Sequence, residues 1–214
     1  MMTIVFIAIG LFGALCFIMA RDNGGNMTAM SDEQARLNAT EIIQYGNSLR
    51  QIVDRMMLLG GVSDTDSPAG AGILFDAPGA GSAPLTRELF ESAGGNAAYM
   101  TPPPGACNST CVYVFSGQYT VTGVGSDANP ELTMLLVDVP KLVCQMVNTV
   151  LGLGATIPTG TALTTVAPFN GTNYGAATAI TLAGGQRALC YQEATGAGRY
   201  IYVNVIRARQ RPQI

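Results

Sequence analysis

SDEQARLNATEIIQYGNSLRQIVDRMMLLGG, residues 31–61, is the stretch on which the fold turns. Ser31 is a strong helix N-cap, Gln34 stands three residues on as in a capping box, and Asp32 and Glu33 complement the positive end of the helix dipole. Apolar residues follow at Leu37, Ile42, Tyr45, Leu49, Ile52, Met56 and Leu59, with Arg36, Asn47, Arg50 and Asp54 between them. That spacing is the signature of an amphipathic helix, and Gly60 and Gly61 end it. A helix is therefore expected over 31–59, with its greasy stripe buried against a sheet.

Upstream the character changes. Met2 to Ala20 is a run of about 19 uncharged, mostly apolar residues, long enough as a helix to span a hydrocarbon core of about 30 Å. It lacks the basic n-region and small-x-small cleavage site of a secretory signal, so a retained transmembrane or filament-core helix is expected, with Ile4, Phe6, Ile7, Leu11, Leu15 and Ile18 as its apolar body. Small residues at Ala8, Gly10, Gly13 and Ala14 would let neighbouring helices approach closely. The following RDNGGN disfavours continuous helix, so a flexible joint is expected over 21–30. Residues 1–60 then form a helical stalk and 61–214 a globular head.

Downstream of Gly61, SPAGAG, APGAGSAP and TPPPGA mark turns, and LTRELFES (85–92) is expected as a short helix. CVYVFSG (111–117) and YTVTGVG (119–125) resemble a hairpin, and LTMLLVDV (132–139) a third strand. Pro140 opens a helix whose apolar face would be Leu142, Val143, Met146, Val147 and Val150. RALCYQE (187–193) and RYIYVNVIRA (199–208) complete the strands. The expected class is α+β: a long N-terminal helix, broken near 21–30, packed on a small, mainly antiparallel sheet.

Composition narrows the function. Only 12% of the 214 residues are charged, the net charge is -3, and Lys141 is the single lysine. Nucleic acid needs a concentrated basic field, and the nearest approach, IRARQR (206–211), reads as a solvated chain end. Wetting falls instead to small polar residues, as in GTALTTVAPFNGTNYGAATA (160–179), a surface suited to an exported protein that packs against copies of itself. Histidine is absent, which removes the usual Ser/His and Cys/His nucleophile machinery and the commonest metal ligand. The carboxylates Glu88, Glu91, Asp127, Asp138 and Glu193 show no motif spacing, and GVG (123–125) is no phosphate loop. No catalytic residue, metal or cofactor is expected.

Of five cysteines, Cys16 lies in the apolar run and reads as a small hydrophobe. Cys107, Cys111, Cys144 and Cys190 allow three pairings; Cys107 with Cys111 and Cys144 with Cys190 are favoured, and zinc is disfavoured by the lack of histidine and of a second short spacing. Sequons stand at Asn26, Asn38, Asn108 and Asn170, candidate glycosylation sites if the source glycosylates.

Apolar helix, glycine-softened joint, amphipathic continuation and disulfide-bonded α+β head, in that order, resemble the layout of type IV pilins and pseudopilins. VDVPKLVCQMVN (137–148), followed by LCYQE (189–193) and a last strand, is similar to the cysteine-bracketed C-terminal region of the type IVb branch. The resemblance implies a structural, non-enzymatic subunit. It would be inserted in the inner membrane before assembly, then polymerise with copies of itself into a cell-surface filament with the helix in the core. The family's glutamate at the fifth mature position has no counterpart at Val5, and the first acid is Asp22. A buried ion pair contributes little net stability, so that absence is compatible with assembly. The alternative reading is a monomeric, membrane-anchored extracytoplasmic binding module or envelope-complex subunit.

Overall fold

The computed structural model describes residues 30–64, 72–81, 83–109, 111–125, 130–163, 168–169, 178–180, 185–196 and 198–208. The chain divides into two units, Met1–Ser31 and Asp32–Ile214. The expected apolar helix over 2–20, with Ile4, Phe6, Ile7, Leu11, Leu15 and Ile18, lies outside the described residues, as does the expected joint up to residue 29. Among the described residues, no helix is long and apolar enough to cross a membrane.

The second unit is α+β. Helix α1 (Asp32–Gly60) starts directly after Ser31 and ends where Gly61 takes φ +64°, a left-handed conformation that glycine adopts without steric cost. There follow β1 (Tyr113–Val121), β2 (Glu131–Val137), α2 (Lys141–Val150), β3 (Thr159–Gly160), β4 (Thr178–Ile180), β5 (Ala188–Glu193) and β6 (Tyr200–Arg207). The strands form one sheet in the order β3-β5-β6-β2-β1-β4. Its centre is antiparallel: β5 pairs β6, β6 pairs β2, and β2 pairs β1. At each edge a short strand adds in parallel, β4 on β1 and β3 on β5, so the sheet is mixed where a mainly antiparallel one was expected.

Both faces of the sheet are covered, which explains why its strands read as near-continuous apolar runs. Side chains alternate across the pleat. On the α1 side, Tyr113 lies 5.0 Å from Tyr45 between ring centroids, and Phe115 sits among Phe75, Phe90, Tyr99 and Phe169. On the other side, Val114, Leu135, Leu189, Tyr191, Ile201, Val203 and Val205 close a second core with Leu163 and Ile180. In register, Leu135 stands between Val114 and Val203.

Several local expectations are corrected. The hairpin expected across 111–125 is a single strand, β1, with a register shift between Ser116 and Tyr119. Gly117 marks a bulge rather than a turn, and the Ser116 hydroxyl accepts the Gln118 amide there. The helix expected over 85–92 shrinks to a 3-10 turn, Leu85–Arg87, because Glu88 turns extended and bridges Leu74 in parallel.

The buried stripe of α1 also differs. It comprises Ala35, Asn38, Ala39, Ile42, Ile43, Tyr45, Gly46, Leu49, Val53 and Met56, whereas Leu37 and Leu59 are 55% and 83% exposed. The line of closest approach runs through the small residues Ala35, Ala39 and Gly46, and at 100° per residue Leu37 and Leu59 point roughly 140–180° away from it. In α2 the buried set is Val143, Cys144, Val147 and Asn148, and Val150 is exposed. Cys144 and Asn148 are neighbours four apart on one face, and that face is the one turned to β5.

Candidate functional site

The favoured disulfides both form, and they do different work. Cys144–Cys190 staples α2 to β5 across 46 residues and is buried. Beside it the Asn148 side chain acts as a substitute strand: its Nδ2 donates to the Cys190 carbonyl at 2.8 Å, and its Oδ1 accepts the Cys190 amide at 2.8 Å. The edge of β5 is thus capped where β3 no longer covers it. Cys107–Cys111 closes a short surface loop at a sequence separation of four. That loop is pinned to Asp138, whose carbonyl accepts the Asn108 amide at 2.9 Å and whose carboxylate accepts from Asn108 Nδ2 at 3.2 Å and Ser109 Oγ at 2.7 Å. Asp138 has φ +62°, a left-handed conformation that Asp tolerates better than most residues and that aims its carboxylate at the loop.

Of the sequons, Asn26 and Asn170 lie outside the described residues. Asn38 is buried, and its amide nitrogen, the atom a glycan would occupy, donates to the Pro104 carbonyl at 3.1 Å. Asn108 is exposed. Asn38 is thus enclosed in the folded head, whereas Asn108 stands at the surface with its amide nitrogen on the Asp138 carboxylate.

The element with the clearest unfinished business is α1. Its inner face is locked by polar contacts. Gly46 lies directly against the Asn204 side chain, so that a methyl group there would overlap the amide. Asn204 donates to the Tyr202 hydroxyl at 2.8 Å and accepts from Arg50 Nη2 at 3.3 Å, and the same Nη2 donates to the Val205 carbonyl at 3.2 Å. Further along, Tyr45 donates its hydroxyl to the Ala98 carbonyl at 3.2 Å and accepts the Met100 amide at 3.3 Å. From the exposed side of the helix Arg55 Nη2 reaches round to the Gly95 carbonyl at 2.8 Å, and Arg207 reaches Asp54 and Asp64, each at 3.2 Å. Burial pushes the Tyr45 phenol up to about 12, and it pushes Tyr113 and Tyr202 beside it higher still.

The outer face contrasts with this. Glu33, Leu37, Glu41, Gln44, Ser48, Gln51, Arg55, Leu58 and Leu59 all stand exposed along one side of the helix. Leu58 and Leu59, both 83% exposed, form an apolar tip at its carboxyl end. Near its amino end, a groove between α1 and α2 is lined by Asp32, Glu33, Arg36, Thr40, Met146, Thr149 and Val150.

Among the described residues, the acid with the most distinct electrostatics is engaged structurally. Burial works to raise the Glu193 carboxyl, but hydrogen bonds from Arg199 and the Leu163 amide outweigh it and hold the group below the ordinary carboxylate value. Its bidentate pairing with Arg199, 2.9 Å at both oxygens, ties β5 to the turn before β6. Among the described residues, no three His, Cys, Asp or Glu side chains gather as metal ligands.

Sequence reasoning missed Gly46, Asn148 and Asn204. The two asparagines carried a signal, since each is a polar residue on an otherwise apolar face, as in YIYVNVI. Gly46 in mid-helix carried another, because glycine there costs about 1 kcal/mol and so points to close packing.

Comparison of the chain with protein-family models, with curated proteins and with solved structures finds no match.

Proposed function

We propose that the chain is a structural subunit of the type IV pilin or pseudopilin kind, polymerising through its N-terminal apolar segment into an extracellular filament or pseudopilus. Its partners are copies of itself, and the membrane holds it before assembly. It uses no cofactor and acts on no substrate. The observation that carries this reading is the division of α1: one face locked onto a disulfide-stapled α+β head, the other exposed and leucine-tipped. Such a helix is complete toward its own head and open toward another molecule. Two disulfides suit an oxidising, extracytoplasmic compartment, and low charge suits a surface that packs against itself.

Negative-stain microscopy of the purified full-length protein tests the reading. Filaments of uniform width are expected. Monodisperse small particles under every assembly condition would sink it in favour of the membrane-anchored binding module.

A further inference from the structure

The two disulfides differ in how a reagent can reach them. Cys144 and Cys190 are fully buried between α2 and β5, with Asn148 beside them. Cys107 and Cys111 are half-buried, and Asn108 and Ser109 between them are exposed. Thiol–disulfide exchange needs a thiolate at one of the two sulfurs, so access governs its rate. The outer bond can be attacked in the folded head, whereas the inner one waits for α2 to lift from β5.

The outer bond also sits at a junction. Its loop leads into β1 and Asp138 directly follows β2, so the two lie at the same end of an antiparallel pair. Three hydrogen bonds join them: the Asn108 amide donates to the Asp138 carbonyl at 2.9 Å, and Asn108 Nδ2 and Ser109 Oγ donate to its carboxylate at 3.2 and 2.7 Å. Disulfide and carboxylate therefore hold one loop from two sides. The loop borders a cavity of about 370 Å³, with Ser109 at its wall and an apolar lining from Val112, Val114 and Val137.

We propose that Cys107–Cys111 is a redox clasp: a dithiol opens it while the head stays folded, and opening frees the loop from Asp138 and uncovers the valine-lined cavity. In the exchange, one thiolate of the dithiol attacks a sulfur of the pair, forming a mixed disulfide and releasing the other cysteine as a thiolate that takes up a proton. The second thiol of the reductant then displaces the remaining cysteine. Two electrons and two protons pass to the protein, and the dithiol leaves as its own disulfide. Once the bond is open, only surface hydrogen bonds hold the loop, and water competes for each of them. Cys144–Cys190 meanwhile keeps α2 on β5, so the head outlasts the change. The clasp belongs to the head alone and does not depend on filament formation.

The oxidised full-length chain is exposed to dithiothreitol at mildly alkaline pH for a series of times, quenched with N-ethylmaleimide and digested, and labelling at Cys107, Cys111, Cys144 and Cys190 is read by mass. The outer pair should label roughly tenfold faster than the inner pair, or more, with the near-ultraviolet circular dichroism of the buried tyrosines retained. All four labelling together, or the inner pair first, overturns the proposal, as does loss of the tyrosine signal in step with the outer pair. Asp138→Gly removes the carboxylate and suits the backbone φ of +62°. It should speed opening of the outer pair by roughly threefold and leave the inner pair unchanged; an unaltered outer rate refutes the role of Asp138. The uncharged dye Nile red reports on the cavity. Its emission should rise by roughly twofold on opening and fall back when oxidised glutathione recloses the bond, and Cys107→Ser with Cys111→Ser should show the raised level without reductant. Emission that stays flat across opening overturns the uncovering of the cavity.

Discussion

The two faces of α1 share one backbone and differ in nearly everything else. The inner face is short side chains and satisfied hydrogen bonds: Ala35, Ala39 and Gly46 against the sheet, Asn204 and Arg50 bridging, Tyr45 tied at both ends of its hydroxyl. The outer face is longer, exposed and mixed, with leucines at either end and Glu41, Gln44, Ser48 and Gln51 between. Burial removes apolar surface from water on one side only. What the difference teaches is that the head's stability resides on one face of the helix and that the other face can be changed without disturbing it.

Alkali should break the inner side first and most completely. Tyr45 ionises at about 12 in the fold and near the ordinary value of about 10 when unfolded. Its folded pKa is raised, so its contribution is whole below about pH 10 and falls as pH rises from there through 12, because the unfolded chain then releases protons the native state retains. Tyr113 and Tyr202 add in the same direction. The expected outcome is cooperative loss of near-ultraviolet circular dichroism above about pH 10, coincident with tyrosinate absorbance. Tyrosines that titrate at the ordinary value in an intact fold would contradict the inner-face assignment.

Next in size are the disulfides. In the chain-entropy description, opening Cys144–Cys190 through serine at both positions should cost about 4 kcal/mol, and opening Cys107–Cys111 likewise about 2 kcal/mol, the difference following loop length. Denaturant titration of each variant measures both, and equal costs would break the distinction between staple and surface loop.

Gly46→Val should cost about 3 kcal/mol, by driving a side chain into Asn204 and the hydrogen bonds it organises. A midpoint unmoved in urea would mean that α1 does not seat on β6 as described. Least of all for stability, Leu59→Ser should shift it by no more than about 0.5 kcal/mol, since the residue is 83% exposed. The same change should nonetheless lower filament yield. A large loss of stability would erase the contrast between the two faces.

Much of this architecture was legible in the residues. Ser31, the 3-to-5 spacing of apolar residues and the Gly60–Gly61 pair predict α1 to within a residue of its observed ends. Pro140 correctly opens α2, and the strands at 132–139, 187–193 and 199–208 stand within two residues of where alternation and β-branching put them. The errors are equally specific. Gly117 is a turn former by type, yet here the neighbouring strand continues past it on both sides and only the register slips. LTRELFES has helical propensity, but the Arg87 carbonyl and the Leu89 amide on either side of Glu88 both bond the Leu74 backbone, which a helix would deny them. Of the candidate assembly surface, Leu37 and Leu59 were named for the wrong side of the helix, because periodicity gives the spacing of a stripe and leaves its centre to whatever packs most closely.

By itself, then, the sequence determined the α+β class, the helix ends, the favoured cysteine pairs and the absence of histidine chemistry, since these depend on local geometry and on composition. Only the tertiary structure decided which side of α1 is covered, that Asn148 and Asn204 are latches, that Asn38 is buried while Asn108 stays at the surface, and that two short parallel strands finish the sheet. The physical reason is that each of these outcomes is settled by a contact between residues far apart in the chain, where close approach of small side chains and satisfaction of buried polar groups outweigh any local preference.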